Sequence, residues 1–580
     1  MAILQPIINI AEICAQKGIE RVVISPGSRS AVLTLAFARH PQISVTVIAD
    51  ERSAGFVALG LAQSTGKTVA LVCTSGSAAY NLAPAVVEAF FQQVPLLIFT
   101  ADRPKEWIHQ QDGQTIYQTD LFGKHVRAAF DLPADYAHPD SVWFIERTLN
   151  QAINLTQQKP NLPVHVNVPI REPFYPKPTE QFIFERGVRI IEKIEADYIL
   201  SAATWERLQT VWESAASKLI AVGQLLPSQI DLLALQKNLS TLSEETGAVV
   251  LGDIFANLPN GEDFVTKHDA MLMNSQNHAE LRPDLLITFG NSFISKNFKQ
   301  FIKNNPPKHH WHITLSDDLI DTFQSLTTQI KCEPAYFFQK LLDDVDATRM
   351  RNQDFDEDDF DYLPKWRLSN QRMVLGQHRF FRNQTEYNEF SVVERFLPQL
   401  PPNSILHLAN SMSVRYANFI GIAAQQHIDV YCNRGTSGID GCTSTALGCA
   451  IANRERTVFL ITGDVAFFYD RNAFWNQHVP PNFKILLLNN HGGNIFRMID
   501  GPASQPELEV YFETPHTATA QRTAADAGLR YFLADSFETY QETVSVFLSA
   551  EVQSAIFEIR TDKHTNAAVF ADFKLAMAQL

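Results

Sequence analysis

The chain is built on an alternation that few folds can satisfy: short, almost unbroken apolar runs separated by segments long enough for a helix. Near the start the runs are 21–25 (RVVIS), 44–48 (SVTVI), 68–73 (TVALVC) and 95–100 (PLLIFT), with helix-length stretches at 51–65 and 78–92. A strand that is apolar on both faces must be covered on both sides, and a helix crossing over to a parallel neighbour does this. The alternation recurs at 404–408 (SILHL), 430–432 (VYC), 457–462 (TVFLIT) and 484–490 (KILLLNN). Between the two regions a third set occupies 218–223, 248–253, 285–290 and 309–315. The expectation is an α/β chain of three domains, each a mainly parallel sheet flanked by helices: 1–185, 190–345 and 386–580, with a linker at 346–385. Length agrees, because 580 residues exceed what one hydrophobic core organises. The Pro-rich FYPKP at 174–178 marks the first boundary, and the acidic, aromatic stretch 351–365 (RNQDFDEDDFDYLPK) reads as a surface linker.

Composition narrows the function classes. A formal net charge of −15 disfavours non-specific nucleic-acid binding and supplies no polybasic membrane anchor. No uncharged stretch approaches the roughly 20 residues that span a bilayer. The opening MAILQPIINIAEICAQKG lacks the basic region and small-residue cleavage site of a signal peptide. Six cysteines form no CxxC pair, and several sit in apolar runs such as VALVCTSG, as buried reduced thiols do. A soluble cytoplasmic protein is expected.

Two tempting motifs fail. QSTGKT (63–68) resembles a phosphate-binding loop, but five residues separate Gly60 from Gly66 where four are required, and the helix-to-strand order is reversed. His309, His310 and His312 lie in an alternating strand without a nearby carboxylate or cysteine cluster, so a structural or surface role is expected rather than a metal.

In parallel sheets ligands bind at the carboxyl ends of the strands. In the last region one such end carries Gly463-Asp464, and 26 residues further on another carries Asn489-Asn490. A carboxylate and an amide oxygen meeting in one crevice suit Mg²⁺, which takes hard oxygen ligands and completes its shell with water and phosphate. Gly492 and Gly493 let the backbone approach and offer a carbonyl. Two ordinary strand ends with polar turns would read the same way.

The spacing and flanking strands match the thiamine-diphosphate motif of pyruvate-decarboxylase-like enzymes, with Val465 in place of the usual third-position glycine. More closely, the chain resembles the 2-succinyl-5-enolpyruvyl-6-hydroxy-3-cyclohexene-1-carboxylate synthase family of menaquinone biosynthesis. The blocks that carry this resemblance are SPGSRS, DERSAGFVALGLA, TSGSAAYNLAPAVVEA and TADRP, then NSMSVR, NRGTSGIDG, GDVAFFYD and NNHGGNIF. They occur in the family's order along essentially the whole chain; the middle region matches mainly in length and pattern.

The resemblance implies thiamine diphosphate held through Mg²⁺ (or Mn²⁺) by Asp464, Asn490 and the Gly492 carbonyl. Glu51 corresponds to the glutamate that bonds the aminopyrimidine ring, where a carboxyl exchanges a proton with the ring nitrogen. Its place at the start of a helix also suits the helix dipole. Ile439 corresponds to an apolar wedge that keeps the cofactor bent. Ser75, Gly76, Ser411, Ser437, Gly438, Gly463, Ile495 and Phe496 complete the implied cofactor site. The implied reaction decarboxylates 2-oxoglutarate and adds the product carbanion to isochorismate in a 1,4-fashion. Both substrates are dianions, so cations must converge: Arg29, Arg103, Lys296, Arg415 and Arg434, with Ser28, Gln114 and Ser411 as neutral partners. Arginine forks bind carboxylates in bidentate fashion. Glu51, Arg29, Arg415 and Arg434 are the implied catalytic set. Asn297 stands where some relatives carry a second basic residue, which leaves Lys299 or Arg497 as substitutes. The resemblance also implies a homodimer with sites shared between subunits, leaving a tetramer open. Another thiamine enzyme would share Glu51, Asp464 and Asn490 but need fewer cations. A non-catalytic scaffold would have no use for Glu51.

Overall fold

The apolar runs form strands of three parallel sheets. The structure, a computed structural model, describes residues 4–172, 175, 182–275, 278–351 and 361–580. The first sheet, in spatial order, is Ser44–Val47, Arg21–Ile24, Val69–Cys73, Leu96–Asp102, Val164–Pro169 and Ala129–Asp131. The third is Asp429–Cys432, Ile405–Leu408, Val458–Gly463, Phe483–Asn489, Ala555–Arg560 and Arg530–Ala534. Both take their strands in the chain order second, first, third, fourth, sixth, fifth, so the outer domains share one topology. The middle sheet runs Thr328–Ile330, His309–Ile313, Leu285–Phe289, Lys218–Val222, Val249–Gly252. All pairings are parallel, and the inner strands are buried along nearly their whole length, as two-sided cover requires.

Among the described residues five strands lacked an apolar signature. Val164–Pro169 and Ala555–Arg560 carry buried polar residues, among them His165, Asn167 and Glu558, which interrupt the apolar run yet find partners inside. The expected helix over 78–92 is two, Ser77–Asn81 and Ala83–Gln92. Pro84 stands in the first turn of the second, where a residue without an N–H is tolerated. Within the linker expected at 346–385, helix Pro334–Arg351 runs in from one side and Tyr362–Asn383 is a single helix. Leu363, Trp366, Asn370, Met373 and Gln377 recur at helical spacing and are buried, with Trp366 edge-on to Phe301. Residues 352–360, and the 174–178 boundary apart from Tyr175, lie outside the described residues. The two rejected motifs are structural: Gly66 ends a helix in the left-handed conformation beside a Lys67–Glu20 ion pair. His310 and His312 share the Thr288 hydroxyl at 3.0 and 2.9 Å, and burial lowers both pKa values, that of His310 to about 4. All six thiols are free and buried. Among the described residues no helix is long and apolar enough to cross a membrane.

The outer domains meet where helix Glu51–Thr65 crosses helix Cys442–Ala452. The crossing is backbone on backbone. A Cβ on Gly60 would stand 1.9 Å from the Thr445 carbonyl oxygen, and one on Gly448 would stand 2.1 Å from that of Val57. Gly448→Val is therefore expected to lose about 3 kcal/mol of stability through overpacking, read as a lowered thermal midpoint or loss of soluble chain. A midpoint equal to that of the parent would show that the helices separate freely.

Candidate active site

A cavity of about 460 Å³ opens at the carboxyl end of the third sheet, walled by Ser411, Arg415, Arg434, Ser437, Ile439, Gly463, Asp464, Asn490, Gly492, Ile495 and Phe496, among others. Each follows a strand end or its loop, as parallel topology dictates. Asp464 is 2% exposed; its Oδ2 accepts from the Gly492 N–H at 2.9 Å and lies 3.3 Å from His516 Nε2. Asn490 donates Nδ2 to Glu389 Oε1 at 2.7 Å, while its own Oδ1 is buried with no partner among the described residues. A buried, unsatisfied amide oxygen near a buried carboxylate is a donor set that a hard cation would complete. Glu389 is itself 1% exposed. Burial raises its pKa, Asn490 opposes that through its hydrogen bond and Asp464 adds to it, so the value stands at about 7. By taking the Asn490 amide N–H, Glu389 leaves the amide oxygen as the group still lacking a partner.

The backbone here departs from regular geometry. Ser411, Ser437 and His491 all have positive φ, at 70°, 61° and 64°. Such conformations cost about 1–3 kcal/mol each in non-glycine residues and persist only where surrounding contacts over-determine them. Asn410 is one such contact: it donates to the carbonyls of Asn433 and Gly438, both at 2.7 Å, and accepts from Arg434 at 2.7 Å. Asn410 thus binds two strand-end loops to one another.

Cations gather beside the acid–amide pair. Arg415 donates to the Ser411 carbonyl at 2.6 Å, and Arg434 lies over the Phe255 ring of the middle domain at 5.8 Å. Burial and then the like charge of Arg434 lower the pKa of Arg415. The middle domain adds Lys299, whose pKa burial lowers and which lies within the electrostatic reach of Arg434 and Arg415. Lys296, by contrast, is exposed at the first position of helix Lys296–Asn304. Arg497 is committed elsewhere, to Glu513 at 2.7 and 2.9 Å and to Glu509 at 2.8 Å. Asn297 binds Asp269. Of the two substitutes for a missing charge, the structure brings Lys299 to the cluster and leaves Arg497 neutralised.

The remaining candidates gather at the carboxyl ends of the first sheet. Arg29 is 8% exposed, donates to the Ile170 carbonyl at 2.9 Å, and its pKa is lowered by burial and by Arg103. Arg103 is paired with Asp112. Ser28 shares a hydrogen bond with Tyr175 at 3.3 Å. Gln114 packs against Gly76, whose N–H is held by Gln118 at 2.9 Å. Ser75 is buried; Glu51 opens its helix and accepts from Asn81 at 3.3 Å. The cavity around Asp464 is lined by third-domain residues alone, so the two clusters do not share its walls. Sequence reasoning missed Glu389, Asn410, Gln118 and Tyr175. Only Asn410 carried a signal, as the amide that opens the strand-end block NSMSVR.

Residues 9–121 match the family model of the thiamine pyrophosphate enzyme N-terminal TPP-binding domain, and 201–408 match that of the middle domain of thiamine pyrophosphate enzymes. The 2-succinyl-5-enolpyruvyl-6-hydroxy-3-cyclohexene-1-carboxylate synthase of Cytophaga hutchinsonii is 40% identical to this chain over 99% of both. Relatives of that name from Flavobacterium johnsoniae, 36% identical over 97% of both chains, and Bacteroides thetaiotaomicron, 33% over 98% of both, match equally completely.

Removing Glu389 as alanine would leave the buried Asn490 amide N–H without its partner. The expected loss is about 2 kcal/mol or more, measured by denaturant unfolding of the metal-free chain; unchanged stability would separate Glu389 from Asn490.

Proposed function

Because the chain belongs to the 2-succinyl-5-enolpyruvyl-6-hydroxy-3-cyclohexene-1-carboxylate synthase family, we propose that the third-domain cavity and the first-domain cluster are the two halves of its active site. The chain is a thiamine-diphosphate-dependent synthase of menaquinone biosynthesis, decarboxylating 2-oxoglutarate and adding the remaining four-carbon unit to isochorismate. When bound, thiamine diphosphate supplies the electron sink that lets a 2-oxo acid lose CO₂ while its acyl carbon turns nucleophilic.

The protein's own groups bind, orient and move protons. Asp464, Asn490 Oδ1 and the Gly492 carbonyl would hold Mg²⁺ or Mn²⁺ against the diphosphate; the unsatisfied Asn490 oxygen supports this. Ile439, 36% exposed on the cavity rim, and Ile495 and Phe496 form its apolar wall. Ser411, Ser437 and Gly463 line the cofactor half with Gly438 in the same loop, and Ser75 and Gly76 would face it from the first domain of a second chain. Glu51 would hold and move a proton at the pyrimidine nitrogen. Arg415 and Arg434 have no ion-pair partner among the described residues and take substrate carboxylates, with Lys299 or Lys296 adding a third charge. Arg29, Arg103, Ser28 and Gln114 bind from the other half. Since no first-domain residue lines the Asp464 cavity, Glu51 would reach it from a second chain, in a homodimer with two shared sites.

One observation carries the reading: a single cavity joins an acid–amide cation site to two mutually repelling arginines, the arrangement that two dianions and a diphosphate require. The test incubates purified chain with thiamine diphosphate, Mg²⁺, 2-oxoglutarate and isochorismate and follows isochorismate loss. Folded chain that consumes none in a cofactor-dependent way refutes the assignment. Glu51→Gln is expected to lower turnover by about 100-fold or more, the scale of proton-transfer catalysis, while cofactor binding survives. For Asp464→Ala the expected result is loss of Mg²⁺-dependent cofactor retention on a desalting column; normal retention removes Asp464 from the metal.

A further inference from the structure

The loop 433–439 brings Arg434, Ser437 and Ile439 to the cavity, yet two of its backbone N–H groups turn away, to a carboxylate of another domain. Glu88, on helix Ala83–Gln92 of the first domain, is 1% exposed. Its Oε1 accepts from the Gly435 N–H at 2.7 Å, and its Oε2 from the Thr436 N–H at 2.7 Å and the Thr436 hydroxyl. Gly435 approaches so closely that a Cβ there would stand 2.7 Å from the Glu88 carbonyl oxygen. Gln92, one turn on, donates to Glu88 Oε1 and accepts from Gln63 at 2.9 Å and from Gln224 of the middle domain at 3.2 Å. Gln224 also donates to the Cys432 carbonyl at 2.7 Å, immediately before the loop. All three domains therefore meet in one buried polar junction beneath the loop.

The chemistry calls for a carboxylate. Among the described residues Glu88 forms no ion pair, and a buried charge without a counter-ion is unfavourable unless its oxygens are fully hydrogen-bonded. Glutamine would present one acceptor and set its own N–H₂ against a loop N–H. Only an anion accepts on both oxygens from a loop whose residues supply no regular secondary structure of their own.

We propose that Glu88 is a positioning residue of this enzyme: its carboxylate clamps Gly435 and Thr436 from the first domain and so fixes where Arg434 and Ile439 stand in the third-domain site. The proposal rests on the assignment of that loop to the active site. It also gives each first domain a second task, since the same domain that offers Glu51 steadies the cavity of its own chain.

The experiment uses the holoenzyme with thiamine diphosphate and Mg²⁺, comparing Glu88→Gln, Thr436→Val and Arg434→Ala with the parent. Hydrogen–deuterium exchange reads the clamp and steady-state kinetics read its use. For Glu88→Gln the expected result is exchange at Gly435 and Thr436 faster by about tenfold or more. The kcat/KM is expected to fall by about 10- to 100-fold, the scale on which small misplacements act, with exchange in the middle-domain strands unchanged. Thr436→Val, which removes only the hydroxyl bond, should fold as the parent does and show a smaller shift of the same kind. Unchanged loop exchange in both variants overturns the clamp. Faster exchange with parental kcat/KM overturns the positioning role, provided Arg434→Ala is impaired. Parental kinetics in Arg434→Ala would instead overturn the assignment of the loop to the site, and the positioning role with it.

Discussion

The backbone contact between helices Glu51–Thr65 and Cys442–Ala452 sets the geometry on which the site depends. Two helices approach this closely only where side chains vanish from both surfaces, and Gly60 and Gly448 provide that on opposite sides of the crossing. Each crossed helix begins at an element of the proposed site. Glu51 is the first residue of one, and Ile439 lies three positions before the other. Their starts are also tied crosswise. Asp50 caps the first helix through Arg52 and Ser53 and accepts from Asn472, while Asp470 accepts from the backbone and hydroxyl of Ser444 in the second. Arg52 donates to the Tyr469 carbonyl at 2.7 Å. A rotation about the crossing would displace Glu51 and the Arg434 loop together.

Electrostatics explains why a chain of net −15 has a basic site. Surface acids are screened beyond about 10 Å at ordinary salt, whereas half-buried arginines act on a ligand through a medium of lower dielectric. Arg415 and Arg434 are held apart from carboxylates and anchored to neutral acceptors, the Ser411 carbonyl and Asn410. Their charges stay available for an anion. Arg497 shows the contrasting case, because its fork is filled by Glu513 and its charge is spent on holding the chain that follows Gly493. Type and motif proximity alone cannot separate these two outcomes; the neighbours decide.

That contrast marks the boundary of what the sequence makes legible. Twelve strands stood out because parallel sheets demand continuous apolar runs, and the strand-end blocks stood out because topology sends ligands there. The Asp464–Asn490 pair was read from its strand-end spacing, while the assignments of Glu51 and the arginines came from resemblance to known enzymes. The supporting layer was silent for a physical reason. Glu88 sits in the apolar AVVEAF, Glu389 in NEFSVV, and Asn167 in VHVNVP, each a polar residue whose partner lies in a distant segment. No periodicity announces such a partner. The helix Tyr362–Asn383 was obscured similarly, since the acidic stretch before it dominated the reading of its first turn.

The supporting layer matters more here than in a site built on regular elements. Ser411, Ser437 and His491 occupy backbone conformations that local preference opposes, so the loops bearing them would relax if released. What opposes relaxation is a set of buried polar groups that each bond two segments at once. Asn410 joins the loops after two strands, Glu389 joins Asn490 to the third-domain core, and Glu88 joins the Arg434 loop to another domain. A buried polar group left half-satisfied is unfavourable, which makes each of these connections close to all-or-none. Loosening one loop would strand donors in its neighbours, and the cavity would lose its shape as a unit. The strained loops and the buried amides and carboxylates are therefore one device: strain aims the functional groups, and obligatory hydrogen bonding keeps them aimed.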